Sequence, residues 1–245
     1  MIPNSLVLVG FISGLLGSIF GIGGGIIIVS ILISIYAIEP RFAVGSSIFV
    51  IVISSATGVI YNLAKKRIDL PIAYKILICT IPGSLVGSFI IGFIPAKTFN
   101  YIVSLLLLSF SIFVYKRFNT EPQKLNIKFG LLSVILFFVG IMSSTTGIGG
   151  GIIYTPLLLN VLSLPLITSI STSQFILAVT TTTALSTHIF NENIQPQITL
   201  PIAIGAIFGS FLGVKILHKI PKQFINWGLI IILIGFAGYL LFSAN

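Results

Sequence analysis

Two apolar stretches, 5–38 and 129–163, are too long for the helices they would otherwise form. A continuous helix over 5–38 would run about 51 Å, against a bilayer hydrocarbon core of about 30 Å. Both stretches carry the same pentapeptide, Gly-Ile-Gly-Gly-Gly, at 21–25 and again at 147–151. A glycine inside a helix costs up to about 1 kcal/mol relative to alanine, so four in five residues predict a helix break at each place.

The recurrence extends beyond the glycines. A shift of 126 residues lays 14–33 on 140–159 with ten of twenty positions identical. The same shift, without gaps, puts Ser47 on Ser173, Thr57 on Thr183, Gly83 on Gly209, Gly87 on Gly213 and Ile94-Pro95 on Ile220-Pro221. A constant register over about 80 residues reads as a tandem duplication.

Composition fixes the solvent. The chain has 245 residues, 56% hydrophobic and only 7% charged, and a mean hydropathy of +1.17. Soluble domains carry about 25% charged residues. These figures exclude a soluble enzyme, a nucleic-acid-binding domain and a disordered chain, and predict an all-α polytopic membrane protein. The net charge of +9 therefore reports orientation rather than affinity for nucleic acid. The first apolar stretch is expected to stay in the mature fold, because 1–5 hold no Lys or Arg and no small-x-small cleavage site follows. Cys79 is the single cysteine, so no disulfide forms within the chain.

Polar turns cut the chain into blocks at 5–38, 42–63, 71–94, 97–115, 129–163, 166–190, 197–217 and 222–242. If each broken block crosses the membrane once, the best orientation leaves eight basic residues inside and five outside. If each counts as two segments, there are five segments per repeat, and the odd number inverts the second repeat. With both termini outside, eleven basic residues then lie inside and only Arg41 and Lys97 outside. The expected architecture is thus two inverted repeats of about five helical segments each, 1–118 and 129–245, joined by a cytoplasmic linker at 119–128. The first segment pair of each repeat is broken at GIGGG, either as a re-entrant V or as two crossings.

Unwound backbone at membrane depth must be buried in protein or line a wet cavity. Breaks at matching positions of two inverted halves point to a transporter's central site. The unpaired N–H groups of the helices that follow would favour an anion. The candidate binding residues are Gly21, Gly23, Gly24 and Gly25 with Gly147, Gly149, Gly150 and Gly151. Ser46, Ser47, Thr172, Ser173 and Gln174, early in the second apolar element of each repeat, join them as donors, although hydroxyls also bond between helices in membrane bundles. Gly10, Gly14 and Gly17, with the GxxxG pairs 83/87 and 209/213, are read as helix-packing positions, as Gly21 can also be. His188 is a candidate proton relay or a satisfied interfacial histidine. Asn62, its counterpart under the shift, is open in the same way. No acidic residue falls mid-span, which disfavours a cationic substrate. No Cys/His cluster implies a metal, and no Walker-type motif implies ATP, so no cofactor is expected.

The ordered set GLLGSIFGIGGGIIIVSIL, AVGSSIFVIVISSATGVIYN, IDLPIA and IPGSLVGSFI is echoed by GIGGGIIYTPLLL, SISTSQFILAVTTTTALSTHIF and IGAIFGSFLGVKIL. It resembles the TauE/SafE family of membrane transporters over nearly the whole chain. The resemblance implies a multi-pass carrier in a prokaryotic inner membrane, exporting or importing a small sulfur-containing anion such as sulfite, sulfoacetate or a related organosulfonate. Family members often carry Pro shortly after the glycine run. Pro156 fits, whereas Ser30 stands at the corresponding place in the first repeat, so the two half-sites are expected to be unequal. The alternatives are an anion channel, which needs no alternating access, and an intramembrane enzyme built on a Ser and His188, for which no orienting third group is apparent.

Overall fold

The computed structural model describes residues 2–118 and 129–221, and a discontinuous set of positions between 223 and 238. The linker expected at 119–128 and the C-terminal Asn245 lie outside the described residues.

The described chain is helical. α1 spans Ile2–Phe20, α2 Gly25–Ser34, α3 Pro40–Ala64, α4 Leu70–Ile90, α5 Ala96–Phe118, α6 Phe129–Thr146, α7 Gly151–Pro156, α8 Leu166–Phe190 and α9 Pro196–Ile216. Local chemistry explains the starts. Pro40 and Pro196 open α3 and α9, where a missing N–H leaves no intrahelical bond unmade. Asp69 caps α4, its Oδ1 accepting from the Ile72 N–H at 3.0 Å. Among the described residues, three helices are long and apolar enough to cross a membrane: Pro40–Ala64, Leu70–Phe93 and Pro196–Lys219.

The second repeat departs from the first after its glycines. α2 continues as α-helix for 10 residues. α7 stops at Pro156 and passes into a π-helical turn over Leu157–Val161. Proline breaks the regular ladder, and π turns absorb such breaks. Ser30, at the corresponding place in α2, imposes no break.

Glycines set the packing. α1 lies parallel to α9: a Cβ on Gly10 or Gly14 would overlap the backbone of Ile202 or Ala206, and one on Gly205 or Gly209 would overlap the carbonyls of Val7 or Phe11. α4 and α6 pack the same way, with Gly83 against Phe137 and Gly87 against Ile141. The Thr145 hydroxyl donates to the Gly87 carbonyl across that seam at 2.9 Å. Such close backbone approach is what small-xxx-small spacing permits. α3 and α8 cross antiparallel at the centre. Asn62, near the end of α3, donates to Gln174 in the first half of α8, while Gly45, early in α3, abuts Asn193 just past the end of α8.

Candidate functional site

Six glycines of the two GIGGG runs hold positive φ: Gly21 (71°), Gly23 (77°), Gly24 (77°), Gly147 (66°), Gly149 (87°) and Gly150 (63°). Only glycine enters this region without a steric penalty, which is why the turns need this composition. Gly24 and Gly150 are the N-cap residues of α2 and α7, and no side chain caps either helix. The Ile22 and Gly23 N–H groups both donate to the Gly17 carbonyl, at 3.0 and 3.3 Å. The chain then turns back along α1. The Ser5 and Tyr36 hydroxyls are 3.0 Å apart, so the stretch 5–38 returns to the end from which it started.

The two glycine tips meet, and each is held by a serine from the other repeat. The Ser47 hydroxyl donates to the Gly147 carbonyl at 2.7 Å, and the Ser173 hydroxyl donates to the Gly21 carbonyl at 2.8 Å. Both pairs are related by the 126-residue shift. A Cβ on Gly25 would overlap the Gly147 carbonyl, and one on Gly151 the Gly21 carbonyl. Ile51 and Leu177 lie against both Gly23 and Gly149 and close the centre between the tips.

This arrangement has an electrostatic consequence. The Gly21 and Gly147 carbonyls, which would repel an anion, have their lone pairs engaged by serine hydroxyls. The first N–H groups of α2 and α7 have no capping side chain, so each tip, buried as it is, keeps donors without a side-chain partner.

The remaining expected residues divide. Gly24 and Gly150 face the first helix of their own hairpin, Gly24 against Ser13 and Gly150 against Ser143. Ser46 accepts from the Thr199 hydroxyl at 2.8 Å, and Thr172 accepts from the Asp69 N–H at 3.0 Å. Both therefore tie helix ends together, away from the tips. Gln174 bridges helices: its Nε2 donates to the Ser18 carbonyl at 3.1 Å, and its Oε1 accepts from Asn62 at 3.0 Å. The hydroxyls of the 180–183 threonine run return to carbonyls of their own helix. His188 is fully buried against Asn193, not at the tips.

Three contributors were not evident from sequence. Thr155 donates to the Gly21 carbonyl at 3.3 Å. Its counterpart is Val29, so the repeat gives no signal for it. Ile51 and Leu177 are counterparts of each other, but two apolar residues in an apolar chain carry no mark. The tips also differ in their flanks. Ser143, Thr146 and Gly150 line a small, largely apolar cleft of about 20 Å³ beside the second tip. In the first repeat Gly17 and Phe20 stand at the positions of Ser143 and Thr146, and the Phe20 ring packs on Gly228.

Comparison with known proteins identifies the setting. The family model "Sulfite exporter TauE/SafE" matches residues 6–240. The "Probable membrane transporter protein YunE" of Bacillus subtilis is 26% identical over 258 residues, covering 94% of each chain. A "Probable membrane transporter protein" of Methanocaldococcus jannaschii is 31% identical over 239 residues, covering 89% of this chain and 88% of the relative. The "Probable membrane transporter protein YdhB" of Bacillus subtilis is 23% identical, covering 89% and 91%. No solved structure matches the chain significantly. A family of transporters, not enzymes, accounts for an apolar helical bundle whose glycine-rich turns meet inside it, and the chain belongs to the sulfite exporter TauE/SafE family of multi-pass membrane transporters.

Proposed function

We propose that the protein is a secondary transporter that moves a small sulfur-containing anion, sulfite or an organosulfonate such as sulfoacetate, across the cell membrane by alternating access. The observation that carries this reading is the meeting of two uncapped helix starts from different halves of the chain, with Ser47 and Ser173 exchanged between them. The anion would lie between the tips at Gly23, Gly25, Gly149 and Gly151, held by backbone N–H groups. Distributed dipoles hold an anion more loosely than a fixed Lys would, which suits release. Binding requires Ile51 and Leu177 to part, and their alternate withdrawal toward either side supplies the gate.

The antiparallel crossing of α3 and α8, equivalents under the shift, supports two inverted repeats, 1–118 and 129–245. The basic cluster Lys65-Lys66-Arg67 supports an orientation with that turn in the cytoplasm and both termini outside. The test is binding and proteoliposome counterflow with sulfite, sulfoacetate and methanesulfonate, with sulfate and chloride as controls. Saturable, trans-stimulated flux of a sulfur anion is expected. Flux that neither saturates nor shows counterflow would indicate a channel, and absence of binding to every sulfur anion would refute the assignment.

A further inference from the structure

The two repeats end their central helices in the same turn but furnish it with different side chains. After α3, the Lys65, Lys66 and Arg67 N–H groups donate to the Tyr61, Leu63 and Asn62 carbonyls. After α8, the Asn191, Glu192 and Asn193 N–H groups donate to the equivalent Thr187, Ile189 and His188 carbonyls. Lys66 and Glu192 share a positive φ, 53° and 55°. Under the 126-residue shift, Arg67 stands where Asn193 stands at the other end, and Ser171 where Gly45 stands. At the Asn193 end the backbones touch, since a Cβ on Gly45 would overlap the Asn193 carbonyl. At the Arg67 end a serine Cβ and hydroxyl take that place on the helix, and the residue of the turn is a cation.

Two contacts hold Arg67 over this stretch of α8. On one side Asn62, whose carbonyl takes the Arg67 N–H at 3.0 Å, donates through its side chain to Gln174 at 3.0 Å. On the other, the Asp69 N–H donates to the Thr172 hydroxyl at 3.0 Å. Arg67 is two residues from Asp69, a span of at most about 7 Å. The Arg67 side chain is partly buried, and its Nη1 is buried without a hydrogen-bond partner. The guanidinium carbon lies 5.9 Å from the centre of the Tyr61 ring. Asp69 does not neutralise it: the Asp69 Oδ1 caps α4 at Ile72, and Glu39 with Arg41 is the one salt bridge among the described residues. Ser171 is 0% exposed, and its hydroxyl has no partner either. Lys65 and Lys66, both exposed, add positive potential around the turn.

Buried donors without acceptors are unfavourable, and a guanidinium is the costlier kind. Its planar fork of N–H groups matches the oxygens of an oxyanion, and a neighbouring hydroxyl adds a further donor. The Asn62 Oδ1 is also unpaired, but a guanidinium that served this amide alone would be indifferent to added anion.

We infer that Arg67 and Ser171 form an oxyanion site at the end of the bundle that carries the basic turn, where the transported sulfur anion rests between solvent and the glycine tips. The identity of the anion rests on the transport reading above. Ser173, two residues beyond Ser171 and about 3 Å farther along the helix, holds the Gly21 carbonyl, and Gln174 reaches the Ser18 carbonyl. The site is thus a short step from the first tip. Partial exposure lets salt screen the guanidinium, so the anion is held loosely. Asn193 carries no charge, so the two mouths of a repeated molecule differ chemically. The phosphodiester of a lipid headgroup shares the chemistry of the anion, and the experiment separates the two sources.

The experiment is arginine modification by phenylglyoxal on the full chain in detergent, read at each arginine by peptide mass spectrometry. The probes are methanesulfonate, sulfoacetate and phosphate, with chloride as control; sulfite is left out because it consumes the reagent. A sulfonate at about ten times its Kd should slow modification of Arg67 about tenfold, as mass action requires, and leave exposed Arg41 unchanged. Ser171→Ala should raise the half-protecting concentration about tenfold, the value of one hydrogen bond to a charged group. Ser171→Cys, a weaker donor of similar size, should shift it in the same direction if the alanine variant folds poorly. Short-chain phosphatidylglycerol is the lipid arm. Protection by this lipid and by no free anion would make the site a headgroup site and overturn its place on the anion path. Equal modification of Arg67 with and without every oxyanion overturns the inference, as does a half-protecting concentration that the Ser171 variants leave unmoved. Protection is read without flux, so protected Arg67 together with no counterflow of any sulfur anion would overturn the transport reading instead.

Discussion

Replacing Ser47 by alanine should destabilise the protein more than replacing Ser173, although the two positions are equivalent under the repeat. Ser47 gives the Gly147 carbonyl its one side-chain donor among the described residues, at 2.7 Å. Ser173 shares the Gly21 carbonyl with Thr155, whose hydroxyl is 3.3 Å away. Both serines are fully buried, so water replaces neither. Leaving a buried carbonyl with no donor costs about 1–3 kcal/mol, whereas losing one of two donors costs about the net value of a bond, ~0.5–1.5 kcal/mol. For a chain of this size about 2–4 °C of Tm corresponds to each kcal/mol. Thermal unfolding of purified protein in detergent, followed with a thiol-reactive dye on the single cysteine Cys79, would read the difference. The ordering should vanish when Thr155→Val is added to Ser173→Ala, because Val29 already stands at the equivalent place in the first repeat. If Ser173→Ala is the more damaging substitution, or if Thr155→Val adds nothing to it, the exchange of serines between tips does not carry the energy assigned to it.

Gly209→Ala and Gly83→Ala should each lower stability by about 1–3 kcal/mol, the usual penalty of overpacking, because the new methyl overlaps the Phe11 or Phe137 carbonyl. Gly92→Ala, with nothing within 4 Å, should be neutral in the same detergent melt. In a Cys79→Ser background, cysteine at exposed Glu192 should react with an impermeant maleimide in intact cells, and cysteine at exposed Lys66 only after lysis; the opposite pattern would reverse the orientation.

Helix limits were the most legible part of the chain. The block 166–190 coincides with α8, and the blocks 42–63 and 197–217 fall within two residues of α3 and α9, because proline punctuates each start. The glycine pairs at 83/87 and 209/213 announced close packing, but a spacing does not say which helix fills it. That α1 seats against α9 and α6 against α4 depends on shape matching between distant segments. Serine roles were legible only in part. Ser46 and Ser47 are adjacent on one helix yet face different neighbours, since a step of one residue turns about 100° around the axis. The tip glycines also prove unequal. Gly24 combines a φ of 77° with the Ser13 backbone at its open side, so Gly24→Val would disrupt the hairpin itself as well as any ligand contact. The atoms nearest a Cβ on Gly23 belong to the movable side chains of Ile51 and Leu177.

The parallel seam between α1 and α9 has a consequence for biogenesis. Gly14 meets Ala206, so the first helix made waits for a partner about 190 residues later. At about 5–20 residues per second of synthesis, that is a delay of about 10–40 s. During it, the small-residue face of α1 is without its final cover. α4 and α6 are separated by a far shorter stretch and can dock first, giving a half-assembled core into which α9 threads beside the waiting α1. A chain stalled on the ribosome before 196 should therefore allow cysteine cross-linking between α4 and α6 while α1 has no α9 seam to cross-link, so the last-made half of the molecule closes the first.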